Sequence, residues 1–185
     1  GNKDVRSLKI KDLRKIIGVV LQDTTLFSGS IADNLRFGME DANEEMMDSA
    51  TRDAQAFEFI NSSNEGYNRE VGQRGKNLSG GQKQRISIAR TLIKNPKILI
   101  LDDSSSALDM ETESKLQNSL KNRMKDSTVF LIAQRISAVM DSDKIIVLDN
   151  GEIAAIGTHK ELIKNCEIYR SIAISQLGEE AVLNV

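Results

Sequence analysis

Residues 98–101 read Ile-Leu-Ile-Leu without a polar break and end on Asp102 and Asp103. A strand with one wet face alternates polar and apolar residues. An unbroken apolar run needs cover on both faces, the habit of parallel sheets flanked by helices. Residues 16–21 (IIGVVL) and 128–133 (TVFLIA) read as further buried strands, and residues 144–148 (KIIVL) and 152–156 (EIAAI) as two more. Asn150-Gly151 between the last two is a hairpin signal. Between the strands the period becomes helical. Met47, Ala50, Ala54 and Phe57 share one face of a stretch from about residue 40 to 65. A second helix is predicted over 81–94, and a third over 111–124 on Leu116, Leu120 and Met124. Ser30/Asp33, Ser79/Gln82 and Thr158/Glu161 stand at capping-box spacing. Residues 66–77, with Gly66, Gly72 and Gly75, read as a loop, and the tail after 176 has no clear period. Strands alternating with helices predict an α/β sheet.

Composition narrows the chemistry. The formal net charge of -2 argues against a nucleic-acid partner. No apolar run approaches the roughly 18 residues of a membrane span, and no secretory leader is visible. One cysteine, Cys166, excludes an internal disulfide, and one histidine, His159, excludes a multi-His metal cluster. His159 opens a capping-box helix and is expected on the surface. Cys166 is expected buried or half-buried, and Met39, Met46 and Met47 form the adaptable core of the helical stretch.

Two segments carry chemistry. The first is Leu78-Ser79-Gly80-Gly81-Gln82, followed by Lys83-Gln84-Arg85. It reads equally as a plain helix start, with Ser79 as cap and Gln82 returning the bond, or as an anion site. A helix N-terminus with free backbone N–H groups and glycines admits a phosphate closely. The second is the strand ending in Asp102, followed by Ser106-Ala107-Leu108-Asp109. A buried strand that delivers a carboxylate at its C-terminal end is how phosphate-hydrolysing sheets meet Mg²⁺, although such strands are common.

In combination, the two segments resemble the nucleotide-binding domain of ATP-binding-cassette (ABC) transporters. Leu78–Gln82 matches that family's signature motif, 98–102 its Walker B strand and Ser106–Asp109 its D-loop. Gly18–Ser28, containing Gln22, resembles the Q-loop region of the exporter branch, Arg69–Gly75 the loop before the signature, and 143–163 the closing hairpin and helix. The resemblance runs over about residues 5–175. It implies a P-loop NTPase (RecA-like) core sheet with an inserted helical subdomain. The implied division is core with Q-loop over 1–30, helical subdomain over 31–95, core with Walker B, D-loop and switch strand over 96–176, and a tail over 177–185. It further implies ATP and Mg²⁺ as cofactors. Asp102 and Gln22 would serve the Mg²⁺, and Gln22 the attacking water. Leu78, Ser79, Gly80, Gly81 and Gln82 would bind the γ-phosphate of ATP held by a second nucleotide-binding domain, with Asp109 and its loop bridging the two. The implied setting is the cytoplasmic face of a cell membrane, beside a transmembrane domain. A soluble relative in translation or DNA repair is the third reading; the exporter-like text around Gln22 and the short span to Ser79 count against it.

Three departures shape the expected mechanism. The sequence contains no G-x-x-x-x-G-K-[ST] phosphate loop, and Gly72–Asn77 has the wrong spacing. The expectation is an N-terminally truncated domain, inactive alone. Asp103 stands where the family usually has a Glu general base, shortening the reach by about an ångström, which costs on the order of 10²-fold in rate. Gln134 stands where the family has a switch histidine; an amide donates a hydrogen bond but carries no proton. Both changes beside an intact signature point to the degenerate half of a heterodimeric exporter, whose Ser79 and glycines complete an active site on the partner. The alternative is a regulatory module that binds nucleotide without hydrolysing it.

Overall fold

The computed structural model describes residues 4–183. Contacts divide the chain into two units, Gly1–Ile132 and Ala133–Val185.

In the first unit α1 (Ile10–Ile16) runs into β1 (Ile17–Val20), and a loop carrying Gln22 leads to the short β2 (Gly29–Ser30). Then follow α2 (Ile31–Arg36), α3 (Glu44–Asp53), α4 (Phe57–Asn61), β3 (Glu70–Val71) and α5 (Gly80–Leu92). The chain returns to the sheet as β4 (Ile98–Asp102), crosses over α6 (Met110–Arg123) and ends the unit in β5 (Thr128–Ile132). The main sheet has the order β1-β4-β5 and both pairings are parallel. Its central strand is the apolar run, with Leu99 and Leu101 fully buried. One continuous core joins the sheet to the helices: Leu99, Leu101 and Leu116 cluster with Ile31, Leu35, Ile60, Ile86 and Leu92.

Five expectations change in this unit. The 16–21 run is a strand only over Ile17–Val20 and is not buried throughout; Val19 and Leu21 are 46 and 60% exposed. The 128–133 run is a strand but not a buried one; Val129, Phe130 and Ile132 are 40, 53 and 49% exposed. It is an outer strand, as β1 is, paired only with β4 among the described residues; an apolar run does not say what packs on its faces. The stretch predicted as helical over 40–65 breaks between α3 and α4, where Gln55 adopts a left-handed φ of 57°. The break is held from outside: Arg85 donates to the Gln55 carbonyl at 2.6 Å, and Gln55 Nε2 donates to Ser119 Oγ at 3.1 Å. The loop over 66–77 contains β3, paired antiparallel with β2. Of the three methionines, Met47 is buried and Met46 packs against the core, while Met39 is 37% exposed.

Gly38 shows how closely α2 meets α5. A Cβ there would lie 2.1 Å from the Arg90 carbonyl oxygen, a distance no side chain permits. Arg123 closes the opposite side. Its guanidinium pairs with Asp53 of α3 at 2.5 Å and donates to Ser49 Oγ and to the Leu92 carbonyl of α5 at 3.1 and 3.0 Å. Arg123→Ala leaves a half-buried carboxylate and a helix-end carbonyl without this partner. It is expected to lower unfolding free energy by about 2–3 kcal/mol, measured by urea denaturation.

The second unit consists of α7 (Ile136–Val139), the hairpin β6 (Ile145–Asp149) and β7 (Glu152–Gly157), then α8 (His159–Asn165), α9 (Glu167–Leu177) and α10 (Glu179–Leu183). Asn150 and Gly151 turn the hairpin with φ of 48° and 82°, the double left-handed geometry that Asn-Gly suits. Its core gathers Ile145, Val147, Leu162, Ile163, Tyr169 and Ala173. The hairpin strands are not buried as read: Ile146, Leu148, Ile153 and Ile156 are 51, 67, 60 and 53% exposed. Cys166 is buried there as a free thiol. His159 is not on the surface: it is 7% exposed, and its Nδ1 shares a 2.8 Å hydrogen bond with the Tyr169 hydroxyl. The capping box directs Thr158 and Glu161 outward, which turns the first helical residue toward α9. The tail also differs from expectation, because α10 forms and seats Val182 in the core.

Candidate functional site

Parallel pairing aligns the C-terminal ends of β1 and β4. Val20 stands opposite Leu101, so the next residues along each strand run side by side. Gln22 accordingly reaches Asp103 across 81 positions of sequence, its Nε2 donating to Oδ2 at 3.0 Å. Asp102 ends β4, half-buried, immediately before this pair. Asp103 holds a left-handed φ of 45°, a conformation Asp tolerates better than longer side chains, and its amide donates to the Ile132 carbonyl at 2.9 Å. The strand end is thus held by β5 through the Asp103 backbone and by the loop after β1 through its side chain.

The second element is the start of α5. Ser79 caps it: its Oγ accepts from the Gln82 amide at 3.2 Å, and Gln82 Oε1 accepts from the Ser79 amide at 3.0 Å. The first four amides of a helix have no intrahelical acceptor, and the box satisfies two of them. Those of Gly80 and Gly81 remain as donors, with Ser79 and Gly80 exposed and Leu78 buried beneath as the anchor. The plain capping reading is correct, and the anion-binding geometry is the same geometry.

The third element, the loop over 103–109, lies against this helix start. A Cβ on Gly81 would come within 3.0 Å of the Ala107 carbonyl oxygen and 3.4 Å of Leu108 Cδ2. The Ala107 amide donates to Gln84 Oε1 at 3.1 Å, and Ser106 Oγ donates to the Asp103 carbonyl at 3.0 Å. Asp109 caps α6, accepting from the Thr112 amide and hydroxyl at 2.9 and 2.8 Å. Those bonds, with Arg85 nearby, hold its carboxyl below the usual range.

These residues fit a magnesium nucleotide on one side. Mg²⁺ takes one or two carboxylates and completes its shell with substrate phosphates and water. Asp102 with the Gln22 amide suits that role, and the described residues hold no group of three or more acidic, His or Cys side chains for an all-protein metal cage. The α5 start suits a phosphate. A glycine-rich cradle for the α- and β-phosphates is not among the 185 residues.

The family profile described as ABC transporter matches residues 1–106, more than half of the chain. The chain belongs to the ABC transporter family. Its fold is that of the ABC nucleotide-binding domain: a bacterial Atm1-family ABC exporter solved with ATP bound superposes with a TM-score of 0.91 at 39% identity, covering 96% of this chain and 31% of that one. YgaD of Bacillus subtilis (strain 168), which bears the name of a multidrug export ATP-binding/permease protein, is 50% identical over 160 residues, 86% of this chain and 28% of its own length. The β-(1→2)glucan export ATP-binding/permease protein NdvA of Rhodopseudomonas palustris is 46% identical over 173 residues, 94% of this chain and 29% of its own length. The ABC chain described here therefore spans less than a third of each of these relatives. No helix among the described residues is long and apolar enough to cross a membrane.

The ABC fold brings Gln22, Asp102 and Asp103 together and sets Ser79–Gln82 against Ser106–Asp109. Gln134 belongs to the second unit, where its carbonyl accepts from Gln176 Nε2 at 2.9 Å while Gln176 Oε1 accepts from the Ile136 amide at 2.8 Å. Sequence reasoning missed several polar side chains that shape this region. Asn34, fully buried in α2, clamps Phe27 through its amide and carbonyl at 2.9 and 2.8 Å, fixing the loop after Gln22. Arg90 donates from α5 to the Thr25 carbonyl of the same loop at 3.1 Å, and burial pushes its guanidinium pKa down. Gln84 and Glu113 are both 5% exposed. The missed signal was phase: Gln84 aligns with Ile88 and Leu92, and Glu113 with Leu116 and Leu120, so each polar residue lies on an apolar stripe.

The capping carboxylates of Asp33, Asp109 and Glu161 are all lowered, chiefly by backbone amides of Ser30, Thr112 and Thr158. A depressed folded pKa contributes stability above the unfolded value and loses it as pH falls through the folded one. The melting temperature is therefore expected to drop below about pH 4, and an Asp33→Asn, Asp109→Asn, Glu161→Gln triple variant to flatten that slope.

Proposed function

We propose that this chain is the ATP-binding part of an ABC exporter, in which MgATP binding and hydrolysis between two nucleotide-binding domains drive transport through a membrane domain. The observation that carries the reading is the Gln22–Asp103 hydrogen bond, which joins the loop after β1 to the carboxylate end of β4. Asp102 and Gln22 would hold the Mg²⁺, which supplies charge neutralisation for the phosphates when bound. Asp103, oriented by Gln22, would accept the proton of the attacking water. The amides at Gly80 and Gly81 with Ser79 would bind the γ-phosphate of a nucleotide held mainly by a second domain, and Asp109 would sit at the contact between domains. We keep residues 31–95 as the helical subdomain that meets the membrane domain. The setting would be the cytoplasmic face of a membrane.

The shorter Asp103 and the amide of Gln134 favour slow chemistry on this chain's own side, hence a heterodimer whose other site is the fast one. A non-hydrolysing regulatory module is the second reading, favoured by the same two residues.

The test is calorimetry and turnover together. The 185-residue chain alone is expected to bind MgATP no tighter than millimolar, because it lacks the phosphate loop. The complete transporter polypeptide, with its partner, is expected to bind two nucleotides per dimer and hydrolyse ATP. Micromolar binding by the chain alone contradicts the division of the site. No nucleotide binding by the complete protein contradicts the function.

A further inference from the structure

We infer that Gln84 is a positioning residue, clamping the 103–109 loop to the start of α5 so that a shift of Ser79–Gly81 reaches Asp103 and Asp109 of the same chain. The inference rests on the function proposed above for those two segments. Its physical basis is the pairing of two buried polar anchors. On one side Gln84, 5% exposed, accepts the Ala107 amide at 3.1 Å. On the other, Glu113, equally buried, accepts from Ser105 Oγ at 2.5 Å. Between them the loop closes on itself, with the Leu108 amide bonded to the Ser105 carbonyl and Ser106 Oγ to the Asp103 carbonyl. Its upstream end is tied to β5 through the Asp103 amide.

The glycines complete the clamp. Gly81 approaches Ala107 so closely that an added Cβ would stand 3.0 Å from its carbonyl oxygen, while one on Gly80 would make ordinary contact with the Ala107 Cβ at 3.5 Å. The loop therefore has backbone contact below and a buried hydrogen bond beside it. Buried hydrogen bonds are electrostatically stronger than solvated ones, and leaving one partner unpaired is costly. A loop held this way moves with its supports. Gln84 is the support on the helix whose first turn would face the partner's nucleotide, whereas Glu113 belongs to the helix that the loop itself enters. A space-filling role for Gln84 would need no acceptor at Oε1.

The experiment compares Gln84→Met, which keeps volume and loses the acceptor, with Gln84→Glu, which keeps an acceptor oxygen at the same reach, both in the complete transporter. Gln84→Leu replaces the Met variant should that one not fold. The expected result is a fall in kcat of about ten-fold or more for Met with KM for ATP within about two-fold, and recovery by Glu. Wild-type kcat in the Met variant, or equal losses in both variants, overturns the inference. Amide hydrogen exchange at Ala107 is read in parallel. Should the wild type prove inactive, the proposed function fails, and exchange still decides the clamp: slow in wild type and Glu but fast in Met supports it, and equal rates in all three overturn it.

Discussion

Asp103→Glu combined with Gln134→His is expected to raise ATP turnover at this chain's own site on the order of 10²-fold, measured as site-resolved single-turnover phosphate release. Total steady-state release rises no more than about two-fold, because the partner-side site is already fast. Asp103 lies at the end of β4 with its carboxylate bonded to Gln22 at 3.0 Å. One added methylene extends the carboxylate by about an ångström beyond that amide, toward the water a γ-phosphate would meet. A histidine at 134 supplies a group that can carry a proton, which the amide cannot. The single Asp103→Glu variant has a structural cost as well. Its φ of 45° suits Asp, and placing Glu there is expected to cost about 1 kcal/mol of stability. Higher turnover at lower stability is thus the expected signature. Unchanged turnover, in a protein whose partner's own carboxylate proves dispensable, would contradict the assignment of a degenerate half-site.

Gly81→Val is expected to lower turnover on the order of 10²-fold, with a much smaller change in thermal stability. The added Cβ meets the Ala107 carbonyl oxygen at 3.0 Å and Leu108 Cδ2 at 3.4 Å, so the helix start and the loop must part. That separation shifts the Gly80 and Gly81 amides from the phosphate position and loosens Asp109 in one step. The core beneath α5, including Ile86, Ile88 and Leu92, is untouched. A melting point close to wild type with lost turnover is the diagnostic pair, and retained turnover would show that the α5 start does not serve the nucleotide.

The architecture was legible where local chemistry decides it. Three capping boxes and the Asn-Gly hairpin turn are short-range signals, and each forms as read. The unbroken apolar run forms its strand, but only Leu99 and Leu101 are buried, while Ile98 and Ile100 on the other face are half-buried. What escaped depends on partners distant in sequence. Gln55 breaks a periodic helix because Arg85 and Ser119 hold it from two other helices. Strand β5 is exposed because little packs on its faces, which its own residues do not encode. His159 is buried because α9 supplies Tyr169. The site followed the same rule. Its carboxylates and helix start were visible as motifs, whereas the Gln22–Asp103 bond and the Gln84 clamp emerge only once parallel register and helix packing bring them together.

The heterodimer assignment is tested most directly by single-turnover hydrolysis resolved by site in the complete transporter with both ATP sites filled. One ATP is expected to be cleaved rapidly at the site completed by Ser79, Gly80 and Gly81. The other, on the side of Asp103, is expected to persist about a hundred times longer. Equal cleavage rates at the two sites would contradict that assignment.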